Sequence, residues 1–204
     1  MINLIILSWG LMKKIGIDIA DTIIDVWPNL MSYAKEYNES HSNNKKSDDI
    51  HLYLPEDIYG WTDKEKNDFW KKYGNSTLLC SKVKNGVSET LRYLKNMGFY
   101  IFFITAKTND LYVDLEKMII SLLNNNNIPY DGIYTQISNK GLFCYNSGID
   151  CLIDDSYNNC LAANKYGILS MLVSNVYNRD RELKENMYRI DKFNEVKKYI
   201  RCLK

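Results

Sequence analysis

A short apolar run near the start of the chain ends in a carboxylate, and this feature constrains the fold most. The run Ile15–Ile17 leads directly to Asp18, and Thr22 follows four residues later. β-Branched residues favour a strand, and a continuous apolar run is typical of a strand buried on both faces of a parallel sheet. Such sheets present polar groups at the carboxyl ends of their strands. The run therefore predicts a buried strand that delivers Asp18 to a crevice.

Further apolar runs alternate with amphipathic segments, which is the pattern of a parallel sheet built from βαβ units. We predict strands at Ile15–Ile19, Tyr100–Ile104, Cys151–Ile153 and Ile168–Val173, with a further one at Gly132–Thr135. Apolar residues recur at helical spacing over residues 87–97, 111–122 and 193–203, and Gly98 is placed to end the first of these helices. The expected fold is α/β, with a three-layer, doubly wound, Rossmann-like core.

A segment of different character interrupts this alternation. Helical spacing of apolar residues begins at Trp27, and a polar stretch follows. Thr62 and Glu65 form a capping-box pattern at the start of another helix, which we expect Gly74 to end. Placed there, the insertion would lie over the strand ends as a lid. We therefore divide the chain into a core of residues 1–24 and 86–204 and a helical insertion of residues 25–85.

Composition limits the partners. The chain has 204 residues, of which 46% are hydrophobic and 25% charged, and its net charge is +1. This is a globular composition, and it gives no reason to expect a nucleic-acid polymer as partner. Residues 1–11 are apolar but too few to span a bilayer, so we interpret them as an N-terminal extension rather than a membrane anchor.

The cysteines and histidines do not suggest a site of their own. The five cysteines are odd in number and none has C-x-x-C spacing, which argues against a disulfide framework and a thiolate zinc site. We expect reduced thiols and, with them, a cytoplasmic location. His41 and His51 fall in a polar segment, so a histidine-based site is not favoured.

Residues of complementary chemistry stand at the predicted strand ends. Asp18, Thr105 and the pair Asp154 and Asp155 each follow an apolar run, and Lys140 lies fourteen residues before Asp154. In a doubly wound sheet these ends share one crevice. Carboxylates can hold Mg²⁺, an aspartate can attack phosphorus, and a hydroxyl and an ammonium can neutralise phosphoryl oxygens. Each residue alone says little, so the argument rests on their order along the chain.

In this order the motifs resemble those of the haloacid dehalogenase (HAD) superfamily of phosphatases and phosphotransferases, over nearly the whole chain from residue 12 onward. Several stretches are similar to the bacterial branch around the 5'(3')-deoxyribonucleotidases: Ile15–Ile19, Gly60–Gly74, Phe103–Lys107, Asn127–Asp131 and Gly148–Ser156. The resemblance implies a HAD core, and it identifies the helical insertion as a small cap of the C1 type.

The resemblance also implies roles for single residues. Asp18 would be the nucleophile and a Mg²⁺ ligand, and the backbone carbonyl of Ala20 a second ligand. Asp154 or Asp155 would complete the metal site, one of them through water. The phosphoryl group would be bound by Thr105 and Lys140.

The substrate implied by the resemblance is a small phosphorylated molecule. Ala106 and Lys107 follow Thr105 and would contact it. Specificity would lie in the cap, where Trp27 and Trp61 are candidates for stacking on a base. The alternative is that these two rings belong to the core of the cap.

Ala20 departs from the family pattern. HAD phosphatases normally have an aspartate two residues after the nucleophile, where it protonates the leaving oxygen and then deprotonates the hydrolytic water. An alanine can do neither, and general acid–base catalysis of this kind contributes roughly 10²–10⁴-fold. The neighbouring Asp21 is expected to point elsewhere if Asp18 points into the crevice.

Three functions remain open at this stage. The first is a Mg²⁺-dependent, nucleotidase-like phosphatase, in which Ala20 is a natural weakening or an introduced substitution. The second is cleavage of a carbon–phosphorus bond, since HAD phosphonoacetaldehyde hydrolases also have alanine at this position and use a cap lysine to form a Schiff base. The third is a non-catalytic member that binds a phosphorylated ligand or a partner.

Overall fold

A computed structural model describes residues 13–41 and 46–203, without the side chain of residue 202. The predicted N-terminal extension, residues 1–11, lies outside this range. No helix among the described residues is long and apolar enough to cross a membrane.

In the described part of the chain, six parallel strands form the central sheet, in the order β5-β4-β1-β6-β7-β8. A separate antiparallel pair is formed by β2 with β3. The strands are β1 (Lys14–Ile17), β2 (Ile24–Asp25), β3 (Lys82–Val83), β4 (Tyr100–Ile104), β5 (Gly132–Tyr134), β6 (Cys151–Asp154), β7 (Leu169–Val173) and β8 (Met187–Ile190).

Helices flank the sheet and occupy the insertion. They are α1 (Trp27–Ser40), α2 (Pro55–Tyr59), α3 (Asp63–Leu79), α4 (Val87–Asn96), α5 (Leu115–Asn125), α6 (Lys140–Asn146), α7 (Tyr157–Asn164) and α8 (Val196–Tyr199). The parallel sheet between helices is the predicted α/β architecture, and all five predicted strands are present near their expected positions.

The register of β1 explains why the site lies where it does. Ile17 pairs with Phe103 of β4 on one side and with Ile153 of β6 on the other. All three side chains are fully buried, and each such burial contributes roughly 1.5–3 kcal/mol. Because the strands are parallel and level, the residues that follow them emerge at one edge of the sheet. Asp18 and Asp154 therefore become neighbours, with Thr105 one residue further along its strand.

Two elements near the C-terminal end differ from the sequence prediction. The edge strand β8 was not predicted, because its middle residues Tyr188 and Arg189 are half exposed and do not form an apolar run. The helix expected over residues 193–203 is instead α8 between two 3₁₀ turns, Phe193–Glu195 and Ile200–Leu203. Its apolar stripe still packs against the core.

The chain leaves the core before α1 and returns to it after α3, and these two points lie side by side. Ile24 of β2 pairs with Val83 of β3, so the two chain segments that connect these helices to the core run side by side. The predicted capping box is confirmed at the start of α3. The Glu65 amide donates to Thr62 Oγ1 over 3.3 Å, and the Thr62 amide donates to Glu65 Oε2 over 2.8 Å.

Gly98 ends α4 as expected, with a positive φ of 87°. Gly74 does not end α3, which continues to Leu79. A Cβ atom at Gly74 would lie 3.0 Å from the Leu111 carbonyl oxygen and 3.3 Å from the Tyr112 ring. This glycine therefore permits close packing of a helix against a loop of the core.

Candidate active site

Lys140 joins two strand ends through ion pairs. Its ammonium donates to Asp18 Oδ1 and, over 2.7 Å, to Asp154 Oδ2. All three side chains are buried. Burial alone would lower the pKa of Lys140, but Asp154 and Asp18 beside it raise that pKa above its usual value. The lysine is therefore a fixed positive charge at the position where the sequence placed a phosphoryl-binding cation.

The adjacent carboxylates of Asp154 and Asp155 differ in the number of hydrogen bonds that they accept. Each oxygen of Asp154 accepts two hydrogen bonds, from the Ser156 amide and Asn159 Nδ2 on one side and from Lys140 Nζ and Asn159 Nδ2 on the other. Asp155 accepts one at each oxygen, from Thr22 Oγ1 at 2.8 Å and Tyr177 Oη at 2.6 Å. A carboxylate has about four acceptor positions, so Asp155 retains capacity that Asp154 lacks.

The charge of this cluster favours a cation. Oxygen atoms of Asp18, Asp154 and Asp155 lie within 4.8 Å of one another. Burial is the largest cause that raises the pKa of Asp18 to about 7, with Lys140 opposing and the other two carboxylates adding to the rise. Burial followed by the charge of Asp154 likewise raises the pKa of Asp155 to about 7.

Three carboxylates and one ammonium leave a formal charge of −2 when all are ionised. Hard carboxylate oxygens in this number suit Mg²⁺, and a divalent ion would balance that charge. The carbonyl of Ala20 can serve as a further oxygen ligand whatever the side chain is. The residues present therefore fit the metal that the family resemblance implies.

Thr105 and the two residues after it follow β4 directly. Thr105 is buried, and its Oγ1 accepts a hydrogen bond from the Lys107 amide over 3.2 Å. This short turn places Ala106 and Lys107 in the wall of the same cavity as Asp18, Ala20 and Lys140.

The cavity has a volume of about 300 Å³. Strand ends of the core form its polar part, and residues of the helical insertion and of the loop after β4 form the rest. The latter group comprises Val26, Leu30, Tyr53, Leu54, Glu56, Lys66, Trp70, Leu111 and Tyr112. Residues between β2 and β3 therefore contribute to the lining of the cavity.

Trp27 and Trp61, the two tryptophans proposed as substrate contacts, are not among the residues that line this cavity. Trp61 is buried inside the insertion, where its Nε1 donates to Asn38 Oδ1 over 3.0 Å and its ring packs on Tyr37. Trp27 packs on Tyr177, with ring centroids 5.1 Å apart. Among the tryptophans that the structure describes, Trp70 is the one that lines the cavity. Their packing roles correct the prediction, because helical spacing alone does not show which ring faces a neighbouring element.

Asp21 was expected to point away from the crevice, but it lies in the cavity lining and also holds the start of α1. Its Oδ1 accepts hydrogen bonds from the amides of Val26 at 3.0 Å and Trp27 at 2.8 Å, at the start of α1. The residue has a positive φ of 56°. Asp21 lines the same cavity as Asp18 and Ala20. Burial is the largest cause that raises the pKa of Asp21 to about 6, and the hydrogen bonds from the Trp27 and Val26 amides oppose it.

Several site residues escaped the sequence argument. Asn159 could have been found, since it lies in the first turn of the helix that begins after the two aspartates. Tyr177 lies 22 residues beyond Asp155 in an irregular segment, and no local pattern marks it. Trp70, Tyr112 and Glu56 depend on how the insertion packs over the core.

Comparison with solved structures identifies the architecture. A predicted phosphoglycolate phosphatase from Haemophilus somnus superposes with a TM-score of 0.68 at 17% identity, over 95% of this chain and 100% of that one. A haloacid dehalogenase-like family hydrolase from Streptococcus pneumoniae gives 0.67 at 13% identity, over 93% and 98%. The chain has a HAD-type fold.

A third solved structure also shares this HAD-type fold. It is a phosphonoacetaldehyde hydrolase-like protein from Oleispira antarctica, with a TM-score of 0.65 at 10% identity, over 95% of this chain and 93% of that one. No protein-family model and no curated protein sequence matches the chain. The predicted fold class is thus confirmed through structure.

Proposed function

We propose that this chain is a HAD-superfamily hydrolase that transfers the phosphoryl group of a small phosphate ester to Asp18 and depends on Mg²⁺. The observation that carries the proposal is the buried cluster of Lys140 between Asp18 and Asp154, with Asp155 and Thr105 in the same cavity. Three carboxylates, a hydroxyl and an ammonium at converging strand ends are the groups that phosphoryl transfer requires.

Each residue has a defined task in this proposal. An oxygen of Asp18 attacks phosphorus, the ester oxygen leaves with its electron pair, and water later hydrolyses the aspartyl-phosphate. Thr105 donates its hydroxyl to the phosphoryl group, and Lys140 neutralises its charge while it orients Asp18. Bound Mg²⁺ supplies further charge neutralisation.

The hydrogen bonds support one choice of metal ligands. Asp18, the Ala20 carbonyl and Asp155 would hold Mg²⁺ directly, because Asp155 keeps acceptor positions free. Asp154 uses its four positions to hold Lys140, Asn159 and the Ser156 amide. It would act on the ion through water.

Ala20 sets the expected rate. Without a carboxyl group there, neither the leaving oxygen nor the hydrolytic water exchanges a proton with the enzyme, so turnover of alkyl esters should be about 10²–10⁴-fold below that of a complete site. The motif similarity proposes nucleoside monophosphates as one substrate class. Their sugar oxygen is a leaving group that depends on such an acid.

A phosphatase panel tests the proposal. Wild type, Ala20→Asp and Asp18→Asn would be assayed for phosphate release, with and without Mg²⁺, on nucleoside monophosphates and other small esters. We expect Mg²⁺-dependent release that Ala20→Asp increases at least about 10²-fold and Asp18→Asn abolishes. Magnesium-dependent ligand binding without release, even in single-turnover assays, would instead support a non-catalytic phospholigand-binding protein.

One observation favours the phosphonatase-like alternative. Lys66, which belongs to the predicted cap of residues 25–85, lines the cavity. Its ammonium lies 3.3 Å from Glu56 Oε1. Borohydride trapping with phosphonoacetaldehyde, with Lys66→Arg as the control, decides between the two. Covalent modification that requires Lys66 supports this alternative, and unmodified protein rejects it.

The proposed setting is the cytoplasm, with a small phosphorylated molecule as partner and neither a nucleic-acid polymer nor a membrane. The free thiols of Cys144, Cys151 and Cys160 in the buried core suit a reducing compartment.

A further inference from the structure

The part of the cavity away from the strand ends is apolar and aromatic. Leu30, Leu54 and Leu111 line it together with the rings of Trp70 and Tyr112. The two rings pack against each other, with centroids 5.9 Å apart. Such a wall favours a group that is bound by area rather than by many hydrogen bonds.

The polar groups of the two rings in this wall are already engaged within the protein. Trp70 Nε1 donates to Glu56 Oε2 over 3.1 Å, and Glu56 is also paired with Lys66. The Tyr112 hydroxyl oxygen accepts from Lys107 Nζ over 2.9 Å. A sugar or another polyol would lose hydrogen bonds to water there without an equal number of replacements. A flat apolar group would lose none.

Lys107 brings an ammonium to the junction between this wall and the phosphoryl site. Its Nζ lies 5.5 Å from the Trp70 ring centroid and 4.8 Å from that of Tyr112. Burial would lower the pKa of Lys107, but Tyr112, Asp18 and Asp21 outweigh it and raise the pKa above its usual value. In the described part of the chain no carboxylate lies within 4.0 Å of this ammonium. It is a charged group available to an anion.

We propose that this cavity selects phosphate esters of flat, acidic alcohols, that is aryl phosphates, and that the Lys107 ammonium takes up the negative charge of the departing oxygen. This rests on the proposed function and narrows its substrate class. It also explains how the site can work with alanine at position 20, because such a leaving group departs without a proton.

The step balances without an acid. A bond forms between an Asp18 oxygen and phosphorus, while the bond from phosphorus to the aryl oxygen breaks and its electron pair stays on that oxygen. The aryloxide leaves as an anion beside Lys107 and takes a proton from water after release. A phenol has a pKa of about 10, whereas water, whose acidity is close to that of an alkyl alcohol, has a pKa of about 16. An alkyl oxygen would therefore leave far more slowly.

The second half of the reaction has a separate consequence. Hydrolysis of the aspartyl-phosphate needs a base for the attacking water, and Ala20 provides none. With an aryl phosphate the first step is therefore faster than the second, and the aspartyl-phosphate accumulates. We expect a burst of about one equivalent of phenol per enzyme before the steady state.

Matched substrates test the inference. Phenyl phosphate and benzyl phosphate carry the same ring, but the first releases an aryl oxygen and the second an alkyl oxygen. A series of substituted phenyl phosphates adds the dependence of kcat/KM on phenol pKa. For wild type we expect phenyl to exceed benzyl phosphate by about 10²-fold or more, and for Ala20→Asp we expect this ratio to shrink at least tenfold.

Variants of Lys107 test its role through the same series. Lys107→Met should steepen the dependence on phenol pKa, because poor leaving groups lose most from the missing charge, and Lys107→Arg should restore the wild-type slope. The slope is measured within one preparation, so partial misfolding of a variant does not alter it. An unchanged slope in Lys107→Met overturns the role of Lys107.

The outcomes separate this inference from the function on which it rests. If no ester gives phenol, alcohol or phosphate in an Asp18-dependent manner, the proposed hydrolase function fails. If release depends on Asp18 but phenyl and benzyl phosphate react equally in wild type, the hydrolase function stands and the aryl preference is overturned.

Discussion

The two parts of the cavity are built in opposite ways. At the strand ends, charged groups are buried against one another, and Lys140 contacts both Asp18 and Asp154. At the wall, rings and aliphatic side chains predominate, and Trp70 Nε1 is hydrogen-bonded within the protein, to Glu56. The strand-end cluster has three carboxylates and one ammonium, so its net charge is negative. The wall consists mainly of apolar and aromatic side chains and is nearly neutral.

This contrast indicates a division of labour. Changes at the strand ends should alter the chemical step and leave apparent affinity similar, because they act on the reacting atoms. Changes at the wall should alter affinity and substrate preference. A strand-end variant that changes mainly affinity, or a wall variant that changes mainly the chemical step, would contradict this division. So would a variant that changes both to the same extent.

The largest effect is expected for the nucleophile. Asp18→Asn should lower kcat by at least about 10⁴-fold, as loss of a covalent nucleophile does in other enzymes. Its thermal stability should not fall, because the change removes one of three clustered buried carboxylates. Asp25→Asn, at an exposed aspartate of β2, is the matched control and should keep wild-type kcat. Comparable kinetics for the two variants would reject Asp18 as nucleophile.

A change in the wall should act mainly on affinity. Trp70→Ala removes an aromatic contact worth about 0.5–1.5 kcal/mol and should raise KM for phenyl phosphate about two- to tenfold. Trp61→Phe, within the insertion, should lower the melting temperature and leave KM unchanged. A rise in KM for Trp61→Phe without one for Trp70→Ala would reverse the assignment of the two tryptophans.

A change at the start of α3 should affect stability alone. Thr62→Ala removes the hydroxyl that accepts a hydrogen bond from the Glu65 amide. We expect the free energy of unfolding, measured by urea denaturation, to fall by about 1 kcal/mol. Thr62→Ser keeps the hydroxyl and should recover most of the loss. Equal stabilities for the two variants would show that the capping box contributes little.

The smallest effect concerns the thiols. Cys80, at the end of α3, is exposed, whereas Cys144, Cys151 and Cys160 are buried. Burial raises the pKa of Cys144 to about 12 and those of the other two further above the usual value. Iodoacetamide should therefore modify Cys80 in the folded protein and the other three only after unfolding, as mapped by mass spectrometry. Early modification of a core thiol would contradict the described burial.

The same contrast separates what the sequence could predict from what it could not. Asp18, Thr105, Lys140, Asp154 and Asp155 could be placed together because each stands at a strand end or just before a helix. The parallel register then brings such positions to one edge whatever the side chains are. No comparable rule applies to the wall.

Its residues come from α2, α3 and the loop after β4, and they meet only through packing between elements. The sequence left Trp27 and Trp61 open as substrate contacts or as core residues, because it does not show which neighbours each ring has. Gly74 was taken as the end of a helix for the same reason: a glycine that ends a helix and one that permits close contact look alike in sequence.

That close contact has a further consequence. At Gly74, backbone meets backbone, and the Asn75 side chain beside it bonds both the amide and the carbonyl of Val113, at 3.0 and 3.2 Å. Even a methyl group at position 74 would be a wedge that pushes its neighbours aside by a few tenths of an ångström. Those neighbours, Leu111 and Tyr112, also line the cavity. A substitution at position 74 should therefore shift two residues of the cavity lining, although Gly74 itself is not among the residues that line the cavity.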